Sequence, residues 1–278
     1  MCRWLAYSGG SIPLGELIFN TRHSLIDQSL HARQGPNTTN GDGFGVGWYG
    51  QMETPGLYKN VQPAWNDSNL HDLCTHVSSP LFMAHIRAST GSPIQYTNCH
   101  PFRYENWLFV HNGVIKEFPR LRRRLLAALD DEYFPALAGS TDSEVMFLLA
   151  LHFGLRDNVW QGVARMAGFI EQQGKAVGIE FPLHMTLGIS DGKHIYAFRY
   201  SSEGETRTLF HSKDLGAIEE QLTPEQQVLL DQFTEDARCV VSEPLSDDMG
   251  LWEPIPESSF VSICDGEVDV QPFTPISP

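Results

Sequence analysis

The residue with the clearest chemical potential is Cys2, which follows the initial methionine directly. If an aminopeptidase removes Met1, this one residue carries a thiol and a free α-amino group within reach of it. An unperturbed thiol ionises near about 8.5 and an α-amino group near about 7.7–8.0, so the amine can accept the thiol proton near neutral pH. Cys2 would then be a nucleophile that needs no histidine as its base. The alternative is that Cys2 is a small apolar residue of a first strand, since buried unreactive cysteines are common.

A second group of polar residues ends a buried strand in the sequence His85-Ile86-Arg87-Ala88-Ser89-Thr90-Gly91. The guanidinium of Arg87 can bind a carboxylate through two parallel hydrogen bonds, and the hydroxyls of Ser89 and Thr90 add short donors. These residue types therefore suit a carboxylate ligand. The alternative is a surface arginine at the end of a strand.

A third group is His111-Asn112-Gly113, which ends the apolar run Trp107–Val110. A side-chain N–H of Asn112 and the backbone N–H of Gly113 lie next to each other, and together they can form an oxyanion hole. An Asn-Gly pair is equally typical of the turn that closes a β-hairpin, so both interpretations stay open at this point.

A fourth group opens a predicted helix in the sequence Ser140-Thr141-Asp142-Ser143-Glu144. Thr141 is a suitable N-cap, and Glu144, three residues on, predicts a capping box. Carboxylates are favoured at a helix N-terminus by the helix dipole, so capping accounts for Asp142 and Glu144. The functional alternative is that one of them binds a substrate ammonium group.

Two further strings suggest chemistry that their context does not favour. Residues 45–50 match the pattern GxGxxG, but the string itself is predicted to be a strand and no helix follows it, whereas a dinucleotide-binding loop opens a helix. In Asn98-Cys99-His100, neighbouring residues of an extended chain point to opposite faces, so Cys99 and His100 are not expected to form a thiol–imidazole pair.

The composition limits the class of protein. The chain has 278 residues, of which 41% are hydrophobic and 19% charged, as expected for one globular domain over residues 2–278. Its five cysteines are widely spaced without a CxxC pair, which argues against a disulfide framework and a structural zinc site, and no metal or cofactor is expected. A net charge of −15 argues against nucleic acid as a partner. The basic run Arg120–Arg124 alternates with leucines at helical spacing and is interpreted as a solvated helix face.

The sequence also bears on location. No apolar run approaches the roughly 20 residues of a membrane span. No basic segment followed by an apolar one opens the chain, so a secretory signal is not predicted. We therefore expect a cytoplasmic protein without a membrane partner.

The apolar patterns that must position these groups alternate between strand and helix periods. Strands are predicted at 2–7, 44–49, 81–87, 107–111, 184–190, 194–200, 206–212, 238–242, 259–263 and 267–270. Helical pieces are predicted at 14–19, 24–31, 142–152 and 159–172, and 34–40 is predicted to be a loop. Asp191-Gly192 predicts a hairpin. Strands, then two helices, then strands indicate a layered α+β domain.

Taken together and in this order, the motifs resemble those of the class II glutamine amidotransferases, which are N-terminal-nucleophile enzymes. The matching strings are Met-Cys at the start, Asp-Gly-Phe-Gly-Val-Gly-Trp-Tyr at 42–49, His-Ile-Arg-Ala-Ser-Thr at 85–90, Asn-Cys-His-Pro-Phe at 98–102, His-Asn-Gly at 111–113, Thr-Asp-Ser-Glu at 141–144 and Val-Val-Ser-Glu-Pro-Leu at 240–245. Each string is weak alone, but the ordered set is specific and spans nearly the whole chain.

The resemblance implies a four-layer αββα sandwich with two antiparallel sheets. It implies that Cys2 is the nucleophile and its own α-amino group the base, with Asn112 and Gly113 as the oxyanion hole. It further implies that Arg87, helped by Thr90, holds the α-carboxylate of a γ-glutamyl substrate and that Asp142 holds the α-ammonium. Many members have Ala-Thr-His-Gly after the arginine, whereas this chain has Ala88-Ser89-Thr90-Gly91, which leaves the covering loop undefined.

The chain is most similar in outline to the stand-alone branch, which includes the γ-glutamyl hydrolase of ergothioneine biosynthesis and uncharacterised bacterial amidotransferases. The first hypothesis is a hydrolase of glutamine or another small-molecule γ-glutamyl amide. The second is a glutaminase subunit that delivers ammonia to a separate synthase subunit, and the third is a non-catalytic binding module on this fold. The intact set of site residues argues against the third, and the sequence does not separate the first two.

Overall fold

A computed structural model describes residues 2–33, 39–89, 91–213 and 233–277. Its strands in chain order are β1 Arg3–Pro13, β2 Phe44–Trp48, β3 Gly56–Asn60, β4 Ser78–Ile86, β5 Phe102–Tyr104, β6 Trp107–Ile115, β7 Leu183–Ser190, β8 Ile195–Ser201, β9 Phe210–Ser212, β10 Arg238–Val241, β11 Trp252–Pro254, β12 Ser259–Cys264 and β13 Glu267–Pro272. Its α-helices are α1 Gly15–Ile18, α2 Leu25–Leu30, α3 Ser68–His76, α4 Phe118–Leu126, α5 Asp142–His152 and α6 Val159–Lys175.

The strands form two antiparallel sheets. The first has the order β11-β9-β10-β1-β4-β2-β3, and the second has the order β13-β12-β8-β7-β6-β5. β1 lies in the middle of the first sheet, between β10 and β4. β6 pairs with β7 from Leu108 to Ile115 but with β5 only over Trp107–Phe109, so its second half has an open edge.

Three apolar clusters define four layers. One cluster joins the outer face of the second sheet to α4, α5 and α6, and another joins the outer face of the first sheet to α1, α2 and α3. The third lies between the sheets and includes Trp4, Met83, Val110, Ala197 and Val261. The expected αββα sandwich is confirmed.

The alternation of side chains along a strand assigns each residue to a face. In β1, Trp4 and Ala6 belong to the core between the sheets, whereas Leu5 and Tyr7 belong to the outer cluster of the first sheet. Continuing the same alternation places Cys2 on the face between the sheets. Alternation in β4 places Arg87 there too, because Leu81 and Met83 belong to the same inner core.

A buried ion pair anchors the start of β1 from the outer face. The Arg3 Nε donates to Glu243 Oε1 at 2.6 Å, and Arg3 Nη1 donates to the carbonyl of Cys2 at 2.9 Å. His23 Nε2 lies 3.1 Å from Glu243 Oε2, and the N–H of Arg33 donates to that same oxygen at 3.1 Å. Arg3 and Glu243 are each only 1% exposed. The Ser242-Glu243 string, whose role the sequence did not indicate, therefore fixes the strand that begins beside Cys2.

Most predicted elements are present with shifted ends, and several differ. β1 runs to Pro13, well beyond the predicted strand. The strand predicted at 206–212 is shorter in the structure and covers only Phe210–Ser212. β3, α3, β5 and β11 were not predicted. The Asp191-Gly192 hairpin is confirmed, but Ser190 pairs with Ile195, so its loop has four residues. Most of the loop predicted at 34–40 lies outside the described residues.

The basic run lies in α4 as predicted. Leu121 and Leu125 are buried there, while Arg120, Arg122, Arg123 and Arg124 are exposed. The prediction of a solvated helix face is confirmed. Within the described ranges, no helix is both long enough and apolar enough to cross a membrane.

Replacing Glu243 should destabilise the fold strongly. Glu243→Ala removes the anion that faces Arg3 and His23 in a dry environment, and breaking a buried pair typically costs about 3–5 kcal/mol. Asp247→Ala is the matched control from the same segment, because its ion pairs with Arg22 and Arg33 are exposed and we expect a cost below about 1 kcal/mol. The free energy of unfolding in urea measures both, and equal losses would contradict the anchoring role of Glu243.

Candidate active site

The Cys2 thiol lies against the chain segment that follows β4. Its Sγ is 3.4 Å from the N–H of Ala88, which donates to it, and 3.5 Å from the Ala88 carbonyl oxygen. Burial raises the pKa of the Cys2 thiol above its ordinary value, and the Ala88 N–H and the guanidinium groups of Arg87 and Arg3 oppose that rise. A partly buried thiol with two cations nearby is suited to become a thiolate when a base is at hand.

Arg87 is 3% exposed and donates only to uncharged oxygens. Its Nη1 donates to the Asp42 carbonyl at 3.2 Å, and its Nη2 donates to Ser92 Oγ at 2.6 Å and to the Pro93 carbonyl at 3.2 Å. Across residues 2–33, 39–89, 91–213 and 233–277, no carboxylate forms an ion pair with it. A buried cation without an anion is costly, and an anionic ligand would remove that cost.

Asn112 and Gly113 lie within β6 and do not form a hairpin turn. Asn112 is 3% exposed, and alternation with Leu108 and Val110 places its side chain between the sheets. Within the described part of the chain, its side-chain amide has no hydrogen-bond partner. It is therefore available to a ligand.

The backbone N–H of Gly113 points to the open edge of β6. N–H groups alternate in direction along a strand. The N–H of Lys116 donates towards β7, at Pro182, and the N–H of Ile115 donates away from β7 to Asp142 Oδ2 at 2.8 Å. Gly113 therefore points away from β7 as Ile115 does. A side chain at Gly113 would also collide with the carbonyl oxygen of His184, which explains the glycine.

Asp142 is the first residue of α5 and lies beside the same edge. Besides Ile115, its carboxylate accepts from the N–H of Ser143 at 2.8 Å. His111, on the outer face of β6, has its Nδ1 at 2.8 Å from Ser143 Oγ, which fixes the start of α5 against β6. The capping prediction is half right. Thr141 Oγ1 accepts from the Glu144 N–H, but the Glu144 carboxylate accepts from Ala138 and Gly139 instead of Thr141.

Two hydrogen-bonded links hold the two halves of this site together. Trp4 Nε1 donates to Thr186 Oγ1 at 3.2 Å, and Thr186 Oγ1 donates to the Asn112 carbonyl at 3.1 Å. His85 Nε2 donates to the neighbouring His111 carbonyl at 3.2 Å. Sequence reasoning missed Trp4, Thr186 and His85 as site residues because nothing in a single strand shows which side chain spans to the opposite sheet.

The Asn98-Cys99-His100 segment lies next to the site and contacts both the start of α5 and His85 of β4. Asn98 Oδ1 accepts from the N–H of Ser140 at 2.9 Å, just before α5. Cys99 Sγ donates to the Asn60 carbonyl at 3.4 Å, whereas the His100 ring stacks on His85 with centroids 4.2 Å apart. Cys99 and His100 do not contact each other through their side chains, as their adjacency in the chain predicts.

The GxGxxG string has a packing role in β2. Gly45 lies against the carbonyl of His100 and Gly47 against Leu108 of the facing sheet, so neither position has room for a side chain. The next element after the string is β3 and not a helix, so the string lacks the structure of a dinucleotide-binding loop. Thr90 lies outside the described residues. No cluster of three or more His, Cys, Asp or Glu that could hold a metal occurs in the described part of the chain.

The fold and these motifs define a class of protein. Residues 17–277 match the family of class-II glutamine amidotransferases, and the chain belongs to that family, which confirms the resemblance.

Particular relatives share most of its length. The chain is 33% identical to the probable glutamine amidotransferase DUG3 of Saccharomyces cerevisiae over 95% of this chain and 82% of that protein. It is 24% identical to the gamma-glutamyl-hercynylcysteine sulfoxide hydrolase of Mycolicibacterium smegmatis over 98% of this chain and all of that protein.

Two solved structures have the same fold as this chain. A glutamine aminotransferase class-II domain protein from Silicibacter pomeroyi matches with a TM-score of 0.72 and 31% identity over 99% of this chain and all of that one. The glutamine phosphoribosylpyrophosphate amidotransferase of B. subtilis matches 98% of this chain with a TM-score of 0.64 at 17% identity, which shows the N-terminal-nucleophile hydrolase fold alone.

Acid should destabilise the fold through the buried histidines. Burial lowers the pKa of His85 to about 3 and lowers the pKa values of His100 and His111 as well. The unfolded chain takes up these protons below about pH 6.5, so unfolding binds protons in acid. The contribution of these rings to the free energy of unfolding should be fully present above about pH 6.5. It should fall by at most about 1.4 kcal/mol per pH unit for each ring as the pH decreases towards the folded pKa.

The test compares urea unfolding at several pH values between 7.5 and 5 for two variants. His100→Leu should show a shallower loss than the wild type, because it removes one buried ring. His76→Gln changes an exposed histidine and should retain the wild-type slope. Identical slopes for all three proteins would contradict the role of the buried ring.

Proposed function

We propose that this protein hydrolyses the γ-glutamyl amide bond of glutamine or a related γ-glutamyl compound, with Cys2 as nucleophile after removal of Met1. The single observation that carries the proposal is the Cys2 thiol beside Arg87, a buried guanidinium without a carboxylate partner in the described residues. A γ-glutamyl head group supplies the missing carboxylate. Membership in the class-II family supports the same chemistry.

Asp142 and Arg87 give the site one anion and one cation for a zwitterionic head group. Arg87 would bind the α-carboxylate by exchanging its contacts with Ser92 and Pro93 for the ligand. Asp142 keeps accepting capacity beyond the N–H groups of Ile115 and Ser143 and would bind the α-ammonium. Thr90 is assigned to the carboxylate by resemblance only.

The reaction then proceeds in two halves. The free α-amine of Cys2 takes the thiol proton, and the thiolate attacks the γ-amide carbon. Asn112 and the Gly113 N–H stabilise the resulting oxyanion. The protonated amine gives its proton to the leaving nitrogen, the C–N bond breaks, and ammonia or an amine departs from a γ-glutamyl thioester. Water, deprotonated by the same α-amine, attacks the thioester, which releases glutamate and the thiol.

One of the relatives supports hydrolysis as the reaction. The Mycolicibacterium smegmatis relative, whose full length the chain covers, is named a hydrolase. The second hypothesis from the sequence, a glutaminase subunit with a separate synthase partner, stays a hypothesis, and the S. cerevisiae relative is named a probable glutamine amidotransferase.

The first test is the identity of the nucleophile. Intact mass of the active protein should show loss of Met1. Cys2→Ala should lower glutamate release by more than about 10³-fold, because the thioester cannot form. Cys99→Ala is the matched control. This variant should retain activity, because the Cys99 thiol donates to the Asn60 carbonyl. Full turnover by a verified Met1-retaining protein would exclude the α-amine as base.

The second test is recognition of the head group. N-acetylglutamine lacks the ammonium that Asp142 would bind and should be hydrolysed at least about 10²-fold less efficiently than glutamine, because it leaves a charged partner unpaired. Arg87→Lys should retain only part of the kcat/KM, since a point charge cannot reproduce the guanidinium fork. Glutamate release measures both. Equal kcat/KM for glutamine and N-acetylglutamine would show that Asp142 does not bind the head group.

A further inference from the structure

Arg207 lies in the same transverse row of the first sheet as Cys2. β1 pairs Leu5 with Val241 of β10, and β10 pairs Val241 with Phe210 of β9. The ladder between β1 and β10 continues beyond the assigned strands, because Ser242 N–H donates to the Trp4 carbonyl at 3.0 Å. A side-chain hydrogen bond, from Thr208 Oγ1 to the Ser242 carbonyl at 2.9 Å, holds the segment before β9 beside the end of β10.

Extending this register gives one row of four residues from one side of the site to the other, in the order Arg207, Pro244, Cys2 and Arg87. Neighbouring strands lie about 4.8 Å apart, so the backbones of Cys2 and Arg207 are about 10 Å apart. Arg87 and Arg207 therefore lie on opposite sides of the thiol.

The side chain of Arg207 belongs on the same face as the thiol. Leu209 is part of the core between the sheets, and its carbonyl accepts from the Ile255 N–H at 2.9 Å, which keeps this segment extended. Alternation then directs Arg207, two residues earlier, towards the facing sheet. Partial burial lowers the pKa of Arg207, proximity to Arg3 lowers it further and proximity to Cys2 raises it, so both groups are within its electrostatic range.

Arg207, like Arg87, has no counter-ion among the described residues. The nearby carboxylate of Glu203 is shared by Lys116 at 3.0 Å and His184 at 2.7 Å. Arg207 is exposed and has neither an ion pair nor a hydrogen bond in the described part of the chain. Its guanidinium is available to an anion in the solvent-facing mouth of the site.

We propose that Arg207 binds a carboxylate on the leaving amine, so that the preferred substrates are γ-glutamyl amino acids or γ-glutamyl peptides with a free carboxylate. The inference rests on the proposed function and deepens it. The γ-glutamyl head occupies the Arg87 side of Cys2, and because the thiol attacks the carbon between the two substituents, the amine extends to the opposite side. Arg207 is the guanidinium on that side, and it is a specificity residue without a part in bond cleavage.

The experiment compares kcat/KM for γ-glutamylalanine and γ-glutamylalanine amide, which differ only in the leaving-group carboxylate, with glutamine as a third donor. The wild type should prefer the free acid over its amide by about 5-fold, which is the upper range for an accessible ion pair. Arg207→Gln should abolish this preference, Arg207→Lys should retain part of it, and Arg207→Glu should reverse it. Arg124→Gln changes an exposed arginine of α4 and should keep the wild-type ratio.

The outcomes separate this inference from the function on which it rests. If the wild type hydrolyses none of the three donors, the proposed function fails and the inference fails with it. If it hydrolyses them but treats acid and amide alike, or if Arg207→Gln keeps the preference, γ-glutamyl hydrolysis stands and the carboxylate site at Arg207 is overturned.

Discussion

The position of Cys2 depends on the buried ion pair between Arg3 and Glu243. The end of a chain ordinarily frays, because it has neighbours on one side only. Here the residue directly after Cys2 is held by a charge–charge contact in a dry environment, with His23 and the N–H of Arg33 completing the shell around the carboxylate. Arg3 also binds the Cys2 carbonyl, so the thiol sits on a fixed backbone although it begins the described chain.

Because side chains alternate along β1, one face of the strand carries the site residues and the other face anchors the strand. One face carries Cys2 and Trp4 towards the second sheet, and the other carries Arg3 into the helical layer. A shift of one residue would exchange these faces and bury the thiol among α1 to α3. The link from Trp4 through Thr186 to the carbonyl of Asn112 excludes such a shift, because it joins specific residues of three strands.

Much of the fold could be predicted from the sequence where the apolar residues of a segment recur with a single period, either that of a helix or that of a strand. α5 and α6 follow from apolar residues behind suitable N-caps, and their starts at Asp142 and Val159 were predicted correctly. β3 and β5 are short and half-exposed, so their patterns carry little signal. The candidate site residues came from ordered motifs. Glu243 and His85 lie in such motifs too, but their roles, like that of Thr186, come from contacts between distant segments, which no local pattern encodes.

The acceptors around Arg87 have a consequence for selectivity. Ser92 and Pro93 present two uncharged oxygens to Arg87 Nη2, where a carboxylate would present charged ones. An incoming ligand must displace this internal substitute, so it gains only the difference between a charged and an uncharged acceptor. A neutral amide or ester at that position gains almost nothing, since it replaces like with like. Ser92 and Pro93 thus compete with the ligand for Arg87, so a ligand binds there only if it carries a negative charge at that position.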